Sequence, residues 1–541
     1  MSEESAHGDG AATPTRARGG RGPHVRTLGL LLGVSAAIVA MALVPGAAGR
    51  DADDRAAQAV QRVPAKGTVP VAVWIETRHR GAPVAQRFLG LSFELSSLGQ
   101  IASYGGSGDL VGLLRSLGPG ILRFGGVSAD TRVAWTDART PRPAWASAVL
   151  DVAELRGLRR LAAASGWRVM LTIGLAHYDP RAAAREAAAA KAALGPWLAA
   201  LELGNEPDAY PLHGFRREPW TFAGYAAQVA SYRSAIQRTA PGIPLAGPDV
   251  SGSGAFQRWG RREALSERPA LLTGHHYPLG CHDPSTPTIA GLLSATTRRL
   301  EGASLVRYMS VSRASAIGVR LDETGSVSCG GRAGVSNTFA SALWAVGYIA
   351  HAMAIGVAGI NFEGNPANCS GYSPLCAATP ANLRAGFLRA QPEWYALLLA
   401  KALIGERPLR TTVTSPVGPK SPDGRTSLHG PNVAVTALLG GDGSLRFVIV
   451  DDDPPGTRPA AVNLHVGPAF GAASILSLTA PAPVAGAGVE LGGRMVADDG
   501  SFAAPSGLPQ LAAHGGVLSL TVAPSSAAVV TAAPARATGG H

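Results

Sequence analysis

Lysine is nearly missing from this chain: among 541 residues there are four, Lys66, Lys191, Lys401 and Lys420. The formal charge of +11 therefore rests on scattered arginines. Such a charge favours an acidic partner, a polyanionic glycan, nucleic acid or membrane surface, but no basic run is interleaved with aromatics, so nucleic acid is not expected. No GxGxxG and no phosphate-binding GxxxxGK[ST] follows an early strand-like run, which argues against an open doubly wound nucleotide-binding sheet. Histidine spacing of the zinc kind is lacking too. His275, His276, His282 and Asp283 lie close in sequence but match no common zinc pattern, and rim histidines usually hydrogen-bond or line a pocket. Neither a metal nor a cofactor is expected.

Cysteine is scarce, with four residues, yet the number is even. In an exported chain this reads as possible disulfides, and in a reducing compartment as four free thiols. Cys369 and Cys376 are close enough to staple a local loop, leaving Cys281 for Cys329. The second pairing requires the segments before each cysteine to be neighbouring strands. Export is indicated by the N-terminus. Residues 1–27 are polar and carry Arg16, Arg18, Arg21 and Arg26, and Leu28 to Val44 is apolar without a charge. Small residues follow from Pro45 to Gly49, as a signal peptidase accepts. Residues 1–49 thus read as a signal peptide, with an uncleaved membrane anchor through residues 28–44 as the alternative. Residues 50–67 read as a linker.

With 46% hydrophobic and 16% charged residues, the remainder is ordinary globular chain with room for two or three domains. Short apolar runs alternate with longer helical patterns between residues 86 and 365. The runs are Phe88–Phe93, Ile121–Phe124, Val169–Ile173, Leu198–Leu203, Pro244–Gly247, Leu271–His275, Ile317–Leu321 and Val357–Phe362. Ala182–Leu194, Phe222–Ile236 and Thr338–Ile355 have helical length and apolar spacing. Eight strands with crossovers predict an α/β fold, a (β/α)₈ TIM barrel over residues 68–404. Beyond Gly405 the texture becomes short runs separated by Gly, Pro and Asp: Thr411–Val413, Asn432–Leu439, Ser444–Val450, Ala461–Val466, Ile475–Leu478 and Val517–Val522. These predict a C-terminal antiparallel β-sandwich domain over residues 405–533, with Val69–Glu76, within residues 68–85, as a candidate further strand; residues 534–541 read as a tail. No aromatic platform marks the sandwich as a separate glycan-binding module.

Chemistry gathers at the expected strand tips. The fourth run ends in Gly204-Asn205-Glu206-Pro207, with the proline suited to a first helical turn, and the seventh runs into Asp322-Glu323-Thr324. The second run ends with Arg123, followed by Ser128 and Asp130; the third is followed by His177 and Tyr178; the sixth by His276 and Tyr277. So many polar and aromatic groups on one rim is the arrangement of a βα enzyme. Two carboxyls at the tips of strands four and seven face one another and suit hydrolysis of a glycosidic bond. About 5 to 5.5 Å between them implies a nucleophile and retention; about 6.5 to 9.5 Å leaves room for water and inversion.

Asn205-Glu206-Pro207 with Glu323 resembles the large retaining-glycosidase clan built on (β/α)₈ barrels. More specifically, Leu201–Asp208, Asp322–Gly331, the Phe339–Trp344 helix and Trp394–Gly405 resemble glycoside hydrolase family 79, the heparanase and β-glucuronidase family. The likeness runs from about residue 70 into the C-terminal domain. It implies Glu206 as acid/base, Glu323 as nucleophile, Asn205 as donor to the sugar 2-hydroxyl and Tyr277 as hydrogen-bond partner of the nucleophile. It also implies that Gly371 and Tyr372, enclosed by Cys369 and Cys376, hold a uronate carboxylate. The chain departs from the family at Val127 and Gly325, where Asn is common, and at Glu363, where His is frequent. An ionised Glu363 in the pocket would oppose a uronate unless arginine or its own protonation compensates. The implied function is an exported β-glucuronidase acting on glucuronide-bearing glycans. A different sugar in the same chemistry and a silent glycan-binding surface protein are the alternatives.

Overall fold

The computed structural model describes residues 60–61, 67–282, 285, 287–415 and 431–535. The segment read as signal or anchor, Asp283, most of the linker and all but the first two residues of the tail lie outside the described residues. Among the described residues no helix is long and apolar enough to cross a membrane.

Eight parallel strands close into a barrel: β1 (Leu89–Glu94), β2 (Ile121–Gly125), β3 (Arg168–Ile173), β4 (Leu198–Leu203), β5 (Leu245–Val250), β6 (Leu271–His276), β7 (Val319–Thr324) and β8 (Gly359–Gly364), with β8 pairing back onto β1. Each expected run is a strand, but several extend further toward the C-terminal rim than the apolar residues do. Ladder pairing does not stop at the first polar side chain: β5 reaches Asp249 and Val250, and β7 reaches Glu323 and Thr324. Asp249 and Glu323, two polar groups of the rim, are among those extra residues.

The crossover helices have sequence-encoded ends. Asp179 caps Pro180–Leu194, its side chain accepting from Arg181 N and Ala182 N, and proline takes the first helical position. Asp151 and Glu154 form a reciprocal capping box on Val152–Ser165. The helix Phe339–Ile355 is buried on all sides, because it has the barrel on one face and the second domain on the other.

That second domain is one curled sheet whose order by residue range is 517–522, 460–465, 69–80, 407–414, 433–439, 445–451, 526–534 and 470–479. Both faces of its middle strands are covered. Phe447 and Ile449 point into the sheet's own core, whereas Val448 and Val450 join the barrel's helix-layer core. The strand Val69–Arg80 does join this sheet, as expected. Three features were not expected. Val69–Arg80 runs parallel to Ala460–His465, so the sheet is mixed. Ser526–Pro534 is a central strand, its apolar alternation disguised by alanine. Val60–Gln61, within the segment read as linker, pairs with Val522 and Thr521.

Candidate active site

The barrel interior beneath the C-terminal rim is polar, and it is organised around Arg123 on β2, which is fully buried. A guanidinium has five N–H donors, and here each has a partner. Nε donates to Glu202 (3.0 Å), Nη1 to Ser92 (3.1 Å) and Glu323 (2.7 Å), and Nη2 to Asn205 (2.9 Å) and Asp249 (2.8 Å). Asp322 stands 3.6 Å from Nε. Burial, with Asp249 and Glu202 close by, pushes its carboxyl well above the ordinary range. Gly126, at positive φ, is required here, since a Cβ would lie 2.6 Å from the Glu94 carboxyl.

Glu206 follows the tip of β4 in the left-handed region (φ 46°), with its N–H donating to Asp249 O at 2.9 Å. Pro207–Ala209 is a short 3₁₀ helix, so the proline does start a helical turn. A left-handed non-glycine residue is costly enough to require a cause. Here the backbone bond to Asp249 and the turn after it aim the side chain over the barrel mouth.

His275 at the tip of β6 connects the two halves of the site. Its Nδ1 lies 2.8 Å from Glu206 Oε1 and 3.5 Å from Glu323 Oε1, and its Nε2 lies 2.9 Å from Asp249 Oδ1. Burial alone would drive the ring neutral, but Glu323 and Asp249 outweigh it and hold His275 as an imidazolium, able to donate from both nitrogens. Glu323 is buried too, which would raise its pKa; His275 and Arg123 outweigh the burial and keep it ionised. Burial and the Glu323 charge push Tyr277 well up, so it stays a phenol and donates to Glu323 Oε1 at 2.9 Å. Oxygens of Glu206 and Glu323 and a ring nitrogen of His275 all lie within 4.8 Å of one another.

These groups open onto a cavity of about 1170 Å³ lined by Asn205, Glu206, Tyr277, Glu323, Glu363 and Tyr372 among others. Gly371 and Val127 line it as well. Both disulfides are formed, Cys281–Cys329 and Cys369–Cys376. The first satisfies the condition set by the sequence, because β6 and β7 are neighbouring strands. Gly325 has a spatial reason. A Cβ there would meet Tyr372 Cδ1 at 2.9 Å and Tyr277 Cε1 at 3.2 Å, so the two tyrosines occupy the space an asparagine would need.

The remaining expected site residues make other contacts. Asp130 accepts from the N–H groups of Leu175, Ala176 and Asn205 and from Tyr210 OH, so it holds the tips of β3 and β4 in place. Ser128 Oγ accepts from Ser96 N, and its own N–H donates to Glu94. His177 stacks on Trp145 at 3.8 Å beside a separate cavity of about 170 Å³, and Tyr178 is exposed against Tyr232. His276 borders the main cavity but points its ring toward Ser304 and Glu301. The residues that sequence reasoning missed as site members are His275, Asp249, Glu202 and Glu94. Each is a polar residue on a strand whose other positions are buried, and that contrast was the available signal.

No family model matches the chain. A β-glucuronidase of Neurospora crassa is 29% identical over 214 residues, which is 36% of this chain and 36% of that protein, so the match spans about a third of the relative's length. Glycoside hydrolases are among the solved structures that share the fold. A 4-O-α-L-rhamnosyl-β-D-glucuronidase from Fusarium oxysporum 12S superposes with a TM-score of 0.65 at 19% identity, covering 86% of this chain and 99% of that one. A GH51 arabinofuranosidase from Xanthomonas axonopodis pv. citri gives 0.61 at 16% identity, covering 86% of this chain and all of the other.

Proposed function

We propose that this protein is an exported retaining β-glycosidase of the family 79 type, a β-glucuronidase acting on glucuronide-bearing glycans. The observation that carries the reading is the pair of carboxyls on β4 and β7, with oxygens within 4.8 Å, one of them bonded by both Arg123 and Tyr277. So close an approach is nearer the spacing of direct attack, about 5 to 5.5 Å between carboxyls, than the about 6.5 to 9.5 Å at which a water attacks. Glu323 attacks the anomeric carbon as the bond to the leaving oxygen breaks, and Glu206 gives its proton to that oxygen. The Glu206 carboxylate so formed meets His275 Nδ1, 2.8 Å away. In the second step Glu206 takes a proton from water, the hydroxide adds to the anomeric carbon, and Glu323 leaves as carboxylate onto Arg123 and Tyr277. The partial match to a β-glucuronidase and the Gly371-Tyr372 loop on the cavity support the uronate. The disulfides support a compartment outside the cytoplasm.

A second reading, a retaining glycosidase for a neutral sugar, is favoured by one feature. Glu94 and Glu363 bring two further carboxyls to the cavity. Aryl β-glucuronide, β-glucoside, β-galactoside, β-xyloside and α-arabinofuranoside, each with wild type and Glu323→Gln, separate the readings. Cleavage of the glucuronide alone, lost in the variant, is the expected result. Cleavage of a neutral glycoside alone overturns the substrate, and no cleavage with unchanged glycan binding in the variant overturns the enzyme.

A further inference from the structure

Glu363 at the tip of β8 has no part in the chemistry above, yet it sits beside it. Its carboxyl is buried at the cavity wall, 5% exposed, and Oε2 has no hydrogen-bond partner. Charged and titratable groups face it from every side. Glu94 comes from β1, Arg123 from β2 and Glu323 from β7, and Tyr277 and Tyr372 come from the loops after β6 and β8. Arg123 is the cation of this group, and its five N–H donors are already committed to Glu202, Ser92, Glu323, Asn205 and Asp249. Glu323 has to be ionised to attack, and a second carboxyl beside it in a buried site then keeps its proton.

We propose that Glu363 is a specificity-determining residue of the sugar pocket, acting as an un-ionised acid whose O–H donates a hydrogen bond to an oxygen of the bound sugar. The proposal rests on the glycosidase reading and deepens it. Burial first, then the charges of Glu323 and Glu94, push the Glu363 carboxyl well above the ordinary range, in keeping with that role. A neutral acid also resolves the conflict between a carboxyl here and a uronate. The acid donates to the substrate instead of repelling it, and only its ionised form opposes binding. Sugar binding is therefore strong while Glu363 holds its proton and weakens once that proton is lost.

The test is KM and kcat, measured separately across pH on aryl β-glucuronide and on any neutral glycoside that is cleaved, for wild type, Glu363→Gln and Glu363→Ala. The wild-type KM is expected to rise about tenfold toward alkaline pH, the size of one lost hydrogen bond. Glu363→Gln keeps a donor and cannot ionise, so its KM is expected to be flat across that limb. Glu363→Ala is expected to show the raised KM already at acidic pH, with a smaller change in kcat. A flat wild-type KM, an alkaline rise retained in Glu363→Gln, or a wild-type acidic KM in Glu363→Ala each overturns the proposal while leaving the glycosidase reading intact. A wild type that cleaves no glycoside overturns that reading, and this inference falls with it. Should the alanine variant not fold, the glutamine profile decides alone.

Discussion

Asp249→Asn tests the electrostatic core of the site without touching either of the carboxyls proposed as catalytic, Glu206 and Glu323. Asp249 accepts from Arg123 Nη2 at 2.8 Å and from His275 Nε2 at 2.9 Å, and is itself fully buried. Burial opposes its ionisation, but Arg123 and His275 outweigh this and hold it well below the usual carboxylate range. Asparagine keeps the size and an acceptor oxygen but removes the charge. A partner charge at such a distance moves a pKa by about 1–3 units, equivalent to about 1.4–4 kcal/mol. His275 is raised in the folded state, so its contribution to stability is complete below its unfolded pKa and is lost as pH rises through the folded value. The variant lowers that folded value and brings the loss down toward neutrality. Urea unfolding at several pH values, with the His275 ring titrated by NMR, should show a variant that loses stability at a lower pH than wild type and a His275 pKa below the wild-type one. An unchanged His275 titration in a folded variant would refute the claim that Asp249 holds the imidazolium.

Two further outcomes follow from individual contacts. Tyr277→Phe deletes the phenol donor to Glu323 and should lower kcat/KM about ten- to a hundredfold with the melting temperature unchanged; steady-state kinetics showing wild-type rates would contradict it. Glu186, on the helix Pro180–Leu194, has its pKa raised to about 8 by burial. As an acid with a raised folded pKa, it weakens the fold as pH climbs from its unfolded value to about 8. Glu186→Gln should therefore stabilise by about 2–4 kcal/mol at the alkaline end of that window and by little at the acidic end. Urea melts showing the same difference at both ends would overturn this.

Much of the barrel was legible because strand tips obey simple local rules. Apolar runs mark the eight strands, and a carboxyl just past β4 and another at the tip of β7 announce the chemistry. The pairing of Cys281 with Cys329 followed once β6 and β7 proved to be neighbours. Adjacent residues were harder to assign. His275 and His276 are consecutive on β6, and period-two geometry sends the first into the barrel and the second toward Ser304. The alternation of Thr273 and Leu272 carries that information, but only when the inward face is known to be polar. Glu202 lies inside the fourth apolar run and Asp322 just past the seventh, and nothing local in the sequence says that both face the buried Arg123. Ser526–Pro534 escaped because alanine fills its place in a sheet covered on both faces, where bulk no longer marks a strand.

The central claim is that Glu323 attacks the sugar directly while Glu206 serves first as acid and then as base. The anomer released at the start of hydrolysis tests it, because ring opening scrambles the sugar only later. Proton NMR of wild-type enzyme with an aryl β-glucuronide should show β-glucuronic acid first and the α-anomer growing in afterwards. The α-anomer appearing first would mean inversion, and would contradict the reading of a carboxylate pair within 4.8 Å as nucleophile and acid/base.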